Sequence, residues 1–418
     1  MVLETRPRGE LRKLAPKALS LFLYHGSNSS GKTHIRRSEN SLLLLICDFL
    51  RDNPRAALLY YLTLRIFALR ESSPHERNPP MTLSTSPASD VELIQKVREA
   101  HKKLRSEIGK VIIGQDQVVD QLLMAIFCRS HALLMGVPGL AKTLMVSTLA
   151  QALELSFKRI QFTPDLMPSD ITGSEVIQDD PATRQRMFKF LPGPIFANIV
   201  LADEINRTPP KTQAALLEAM QERKASIGGN DHPMRNPFFV LATQNPIEQE
   251  GTYPLPEAQL DRFLFLIKVD YPTADEEEQI MRIGTSDTKT TVSPVLNGED
   301  ILMLQQVVRR IPVSDKVFEF AKRITRMSRP GTAEAADFVS KWLTWGAGPR
   351  ASMNLILAAK AHAILRGSNH VAGDDVVAVA TPILRHRLIL NFSAQSEGIT
   401  VDEVIRKLIR AAASAVPA

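Results

Sequence analysis

From Ser89 onward, short continuous apolar runs alternate with amphipathic stretches, a pattern that predicts strands buried on both faces of a parallel sheet with helices between them. Ser89 and Glu92 stand at capping-box spacing, and Leu93, Val97, Ala100, Leu104 and Ile108 recur at helical intervals behind them. The apolar segment Val111, Ile112, Ile113 ends in a Gly114-Gln115 turn, and a helix from Asp116 to Phe127 follows. Strands are predicted at 131–135, 159–162, 199–202, 238–245 and 263–267. Helices fall between them: one carries Leu144, Met145, Leu149 and Leu153, and others cover 211–223 and 255–261. Segments 173–193 and 225–237 read as inserted hairpins, the second with Gly228-Gly229-Asn230-Asp231 at its tip. Tyr271-Pro272-Thr273 ends the alternation, and Thr273 with Glu276 repeats the capping-box spacing. Everything beyond it patterns as helix, at 299–310, 314–327, 350–366, 374–386 and 400–411. The expected organisation is an α/β domain over 89–271 and an all-α domain over 272–418.

Residues 1–80 lack this alternation and end in the breaker-rich stretch 72–80, with Met81 directly after it. They also carry the chain's charge imbalance. Of 51 Lys and Arg, 13 lie there with 7 of the 45 Asp and Glu, so the remainder holds 38 of each sign and the formal +6 belongs to the front. Residues 1–88 are therefore expected to be a poorly ordered or non-native extension, with Met81 the natural start. A formally neutral body weakens the case for nucleic acid as a partner. Two cysteines, Cys47 and Cys128, supply neither a disulfide framework nor metal-site spacing, and no apolar run reaches membrane-spanning length. Cytoplasm is the expected compartment.

Two stretches compete as a phosphate-binding loop. Residues 26–33, Gly-Ser-Asn-Ser-Ser-Gly-Lys-Thr, fit the P-loop pattern letter for letter, whereas Gly136-Val137-Pro138-Gly139-Leu140-Ala141-Lys142-Thr143 has Ala where the pattern wants the second Gly. Context decides for the imperfect one. Only it follows a strand, opens a helix and precedes a second apolar strand that ends in paired carboxylates, Asp203-Glu204. There backbone N–H groups would hold phosphate oxygens, Lys142 would reach the β- and γ-phosphates, and Thr143 and Asp203 would hold Mg²⁺. Glu204 would polarise the attacking water, and Asn245, at the polar end of the next strand, could touch the γ-phosphate. Ala141 adds one methyl group, which is tolerable if its φ is negative. Ile113 and its neighbours could be plain core or could pack on an adenine ring. Arg350, in the first turn of a helix started by Pro349, opposes the helix dipole, so a bound anion explains it better than helix stability.

Together, residues 136–143, Asp203-Glu204-Ile205-Asn206-Arg207, the helix 214–220, Ala242-Thr243-Gln244-Asn245-Pro246 and 255–263 resemble the MoxR family of AAA+ ATPases, in which Ala before the P-loop Lys is usual. The resemblance runs from about Ser89 into the C-terminal region. It implies a P-loop NTPase fold with a five-stranded parallel sheet in the order 5-1-4-3-2, a helical lid, ATP and Mg²⁺ as ligands, and hexameric rings with ATP between subunits. By the same resemblance Asn245 is the sensor 1 residue, Arg262 the arginine finger acting on a neighbour's ATP, Arg207 a second residue for contact across the interface, and Arg350 the sensor 2 residue reporting on the γ-phosphate. The two hairpins would line the ring's pore. The implied activity is ATP hydrolysis coupled to remodelling, maturation or metal-cofactor insertion of a partner protein, with a von Willebrand factor A domain protein the expected client. A nucleic-acid motor or loader is the alternative, and an ATP-gated scaffold without turnover is disfavoured by intact Lys142, Asp203, Glu204 and Arg262.

Overall fold

The computed structural model describes residues 90–179, 186–247, 251–287 and 290–414. The exact P-loop match at 26–33, the extension 1–88 and the cap at Ser89 lie outside these residues.

Helices α1 (Asp90–Gly109) and α2 (Asp116–Phe127) precede a five-stranded sheet. Its strands are β1 (His131–Met135), β2 (Phe157–Gln161), β5 (Ile199–Asp203), β8 (Phe239–Gln244) and β9 (Phe263–Lys268), in the order β2-β5-β8-β1-β9. All four pairings are parallel. Counting these five strands alone, the order reads 5-1-4-3-2 from the β9 edge. The middle strands are apolar along their whole length because helices cover both faces: every residue of β5 is buried, as are the first five of β8 and of β9. Edge strand β2 instead exposes Lys158 and Arg159, which discourages pairing with another chain.

One face of the sheet packs with α4 (Pro168–Thr172) and α5 (Pro210–Glu222) around Phe162, Leu216, Phe238 and Phe263. The other face shares a single continuous core with α1, α2, α3 (Lys142–Ala152) and the C-terminal helices. Two antiparallel hairpins project from the first side, β3 (Gly173–Asp179) with β4 (Arg186–Pro192), and β6 (Lys224–Ile227) with β7 (Asn230–Pro233). They touch one another: Phe190 stacks on His232 with ring centroids 4.0 Å apart.

After α6 (Glu257–Leu260) and β9 come α7 (Ala274–Gly284), α8 (Gly298–Arg310), α9 (Asp315–Met327), α10 (Val339–Trp342), α11 (Pro349–Arg366), α12 (Gly373–Leu384), α13 (Phe392–Ser396) and α14 (Val401–Ser414), with β10 (Leu343–Trp345) paired to β11 (Ile389–Leu390). These helices are joined firmly to the sheet. Just past α12, Arg385 donates to Leu266 O at 2.9 Å, His386 Nε2 bonds Phe263 O at 3.1 Å, and buried Arg387 donates to Phe263 O at 2.7 Å and Leu264 O at 3.3 Å. Basic side chains thus satisfy carbonyls of edge strand β9, which would otherwise lie buried without partners.

Candidate nucleotide site

β1 ends in the middle of the sheet, and residues 136–141 carry the chain from it into α3. A Cβ on Gly136 would sit 3.0 Å from both Cβ and O of Val269, so glycine lets the turn cross close to the end of β9. Gly139 has φ +87°, a conformation that L side chains avoid. Ala141 also lies in the left-handed region, at φ 52°, ψ 24°. The condition of a negative φ is therefore not met: the chain is left-handed at this residue as it enters α3, and the methyl group is carried there at a cost of about 1 kcal/mol. Lys142 Nζ donates to Gly136 O at 2.6 Å, folding the loop over its own lysine.

Residues 138–144 line a cavity of about 440 Å³ together with Arg159, Asp203, Glu204 and Asn245. The sheet explains why these distant residues meet: the loop follows β1, Asp203, Glu204 and Asn245 sit at or just past the carboxyl ends of β5 and β8, where ligands of open α/β sheets bind, and Arg159 reaches in from the middle of β2. Leu144, on α3, is 48% exposed at the lip of this cavity rather than packed in the core. Thr143 opens α3 beside Lys142 and faces the same space.

A network of side chains sets the carboxylates. Fully buried Thr243 donates to Asp203 Oδ1 at 2.6 Å and accepts the Glu204 N–H at 2.9 Å. Arg159 reaches Asp203 Oδ2 with Nε at 3.0 Å and Nη2 at 2.6 Å, and it also donates to Gln161. Gln161 Nε2 donates to Glu204 Oε2 at 2.7 Å, and Arg207 Nη1 lies 3.1 Å from the same oxygen. Glu204 itself is left-handed, at φ 58°, so two of the site's residues hold strained backbone. Asn245 Oδ1 accepts the Ile247 N–H at 3.1 Å, so the Asn-Pro turn is formed and the side-chain amide nitrogen remains as a donor at the cavity wall.

Arg159, Gln161 and Thr243 did not emerge from the sequence as site residues. The signal was slight: two long polar side chains at alternate positions near the end of β2, and a polar residue inside an apolar strand.

Other expected residues lie elsewhere. Arg207 clasps Glu204 of its own chain instead of standing clear for a neighbour. Ile113 is half-buried and does not line the cavity; its neighbour Gly114, at φ +73°, lies against the Glu276 side chain. Arg262 and Arg350 are also outside the cavity lining. Arg262 donates to Leu217 O at 2.9 Å just before β9 starts, and Arg350 pairs with Asp261 at 2.9 Å. Both arginines therefore stand at the amino edge of the sheet, opposite the P-loop of their own chain. Arg387, 2.7 Å from the other Asp261 oxygen, fixes that corner.

Residues 131–265 match the family model for ATPases associated with various cellular activities (AAA), and residues 336–408 match the AAA lid domain model. Chaperone MoxR1 of Mycobacterium tuberculosis is 44% identical over 308 residues, covering 73% of this chain and 80% of that protein. The chain belongs to the MoxR family of AAA+ ATPases. Protein MoxR of Paracoccus denitrificans is 30% identical over 342 residues, covering 77% of this chain and 98% of that one. A crystal structure of a candidate ATPase from Cytophaga hutchinsonii superposes with a TM-score of 0.69 at 39% identity, covering 76% of this chain and 96% of that one. The MoxR-family chain thus has an AAA+ core followed by a helical lid, and among its described residues no helix is long and apolar enough to cross a membrane.

Proposed function

We propose that this MoxR-family chain hydrolyses ATP in the 440 Å³ cavity and spends the resulting motion on remodelling a protein client. The observation that carries the reading is the convergence of Lys142, Thr143, Asp203, Glu204 and Asn245 on one cavity from two strand ends and a helix N-terminus. Backbone N–H groups of the loop and the start of α3 bind the polyphosphate, and Lys142 leaves Gly136 O for the β- and γ-phosphates. Thr143 and Asp203 offer hard oxygen donors, which suit Mg²⁺; when bound, that ion screens the phosphate charge. Gln161 and Arg207 both contact Glu204 Oε2, so accepting a proton from water falls to Oε1.

Arg262 and Arg350 complete the site from outside. An arginine at the amino edge meets a γ-phosphate at the carboxyl edge only in another copy, so the reading requires a homo-oligomer with head-to-tail contacts, and a hexameric ring closes them. Arg350 acts in this reading on the neighbour's γ-phosphate and not on that of its own chain. The exposed apolar residues of the β3–β4 hairpin, Ile177 and Phe188, suit transient contact with a client in the pore. The work done on that client is maturation, remodelling or metal-cofactor insertion, and a von Willebrand factor A domain protein in the cytoplasm is the client to try first.

Glu204→Gln removes the base and keeps every phosphate contact, so it should retain ATP binding by equilibrium titration and lose turnover by at least about 10²-fold. Unchanged turnover would remove Glu204 from its role.

A further inference from the structure

The 11-residue helix α7 is an anomaly. None of its residues is buried, although a helix this short is marginal in water without a packing surface. Its capping box, Thr273 with Glu276, fixes where it starts and not what it rests on. Ile280, Met281 and Ile283 form one exposed apolar face, with Met281 57% exposed, and Asp275, Glu276 and Glu277 load the first turn with negative charge, while Glu278 pairs with Arg282 one turn on. A partner for this helix is apolar and cationic.

The same chain carries such a surface. Between α9 and α11 runs an open groove of about 500 Å³, lined by Phe318, Met353, Ile356 and Leu357, by Arg309 and Lys360, and by the ion pair of Lys322 with Glu319. Met353 is 65% exposed and Phe318 47%, so the groove floor is wet. No carboxylate among the described residues pairs with Arg309 or Lys360, and the Lys360 ammonium rests on Arg309 O at 2.8 Å. Burial, and then the charge of Arg309, push the Lys360 pKa below its usual value, which an incoming carboxylate would relieve.

The occupant cannot be α7 of the same molecule. α7 begins at the carboxyl edge of the sheet, where Gln115 ties Asp270 at 3.1 Å. The groove's α11 wall meets the amino edge: Cys128 Sγ lies 3.5 Å from Leu357 O just before β1 begins. An edge-to-edge match of this polarity is the one that brings Arg262 and Arg350 to a neighbour's P-loop. Moreover, Arg350, Met353, Leu357 and Lys360 follow one another along a single face of α11, so the groove continues the surface that Arg350 presents.

We propose that α7 of one subunit seats its Ile280, Met281 and Ile283 face in the α9–α11 groove of the adjacent copy, with its carboxylates against Arg309 and Lys360. The inference rests on the shared-site reading of the proposed function, whose polarity it uses. It adds a second contact per interface, far from the phosphates, that couples the segment leaving β9 in one subunit to the helix carrying Arg350 in the next.

The test uses the full chain as the ATP-trapping Glu204→Gln form in a Cys47→Ser background. Ile283→Cys and Met353→Cys together should give, on mild oxidation, a ladder of disulfide-linked species beyond the dimer on non-reducing gels, whereas mixing the two single variants should stop at dimers. Separately, Arg309→Glu should raise the concentration needed for assembly by about tenfold, and adding Glu277→Arg and Glu278→Arg should recover it. Absence of cross-links while mixed Arg262→Ala and Glu204→Gln subunits still regain activity would overturn the docking and leave the shared site standing. Loss of both would overturn the shared site and the docking with it. A cross-link confined to monomers, or an assembly midpoint indifferent to Arg309→Glu, would also overturn it, the latter assigning the groove to an acidic segment of some other partner.

Discussion

Two non-glycine residues of the nucleotide site, Ala141 and Glu204, hold left-handed backbone, Ala141 where the loop enters α3 and Glu204 where the chain leaves β5. For Glu204 the side chain is the proposed base, so strain and function cannot be separated by substitution. For Ala141 they can. Ala141→Gly removes the clash of Cβ with its own backbone and should raise unfolding free energy by about 1 kcal/mol, offset in part by the greater freedom of glycine in the unfolded chain. Urea unfolding with an unchanged m-value measures this; a loss of stability would mean that the methyl group packs favourably on the loop. The P-loop was legible in the sequence because its partners are ordered along it: strand, loop, helix, then the strand ending in Asp203-Glu204. The sign of φ at Ala141 was not, because composition alone does not fix whether a turn needs a left-handed residue. Arg350 shows the same limit at a longer range: its first-turn position suggests an anion, and the one the structure places on it is the Asp261 carboxylate at 2.9 Å.

At the scale of elements, the strands were readable because a parallel strand covered on both faces is a plain apolar run, and β5, β8 and β9 are such runs. What the pattern could not carry is register. Thr243 meets Asp203 and Glu204 across 40 and 39 residues, and Arg159 meets Asp203 across 44, so each contact exists only once β2, β5 and β8 are laid side by side. Likewise α7 has a strongly amphipathic sequence and buries nothing, since pattern predicts a face and not its partner. His131 shows what register does to one residue at the start of β1. Its Nδ1 accepts the Val240 N–H at 3.0 Å and its Nε2 donates to Met220 O at 3.2 Å, so the buried ring is held neutral. Burial, and then the charge of Arg223, lower its pKa from 6.5 to about 4. A histidine with a depressed folded pKa contributes full stability above pH 6.5 and loses it as pH falls toward 4, because the unfolded chain takes up the proton first. That window corresponds to about 3 kcal/mol for this one group. Chemical unfolding at intervals between pH 7.5 and 4 should show the decline, and His131→Gln should make it shallower without abolishing it, because buried His386, its pKa also lowered by burial, loses stability in the same direction; an equally steep decline in the variant would place its origin in other groups.

At the scale of the whole molecule, the residues of the proposed shared site fall at opposite edges of one sheet. The P-loop, Asp203, Glu204 and Asn245 face the carboxyl edge, while Arg262 and Arg350 face the amino edge with Asp261 holding Arg350 in place. No movement of a side chain within one subunit bridges that gap, because the strands themselves lie between the two sets. The lid cannot carry Arg350 round, either, while Arg385, His386 and Arg387 remain bonded to β9. Complementation between two inactive variants isolates this point. Arg262→Ala subunits keep their own Glu204 and lack the arginine they lend; Glu204→Gln subunits keep Arg262 and lack the base. Each alone should be slowed severely, the finger being worth about 10³ to 10⁵ in rate in comparable NTPases. In an equal mixture, about one interface in four joins an intact Glu204 to an intact Arg262, so steady-state ATPase should recover to about a quarter of the unmodified value if interfaces fire independently. Recovery that scales with the product of the two subunit fractions would fit a site built from two copies, and no recovery at any ratio would show that Arg262 does not act across the interface.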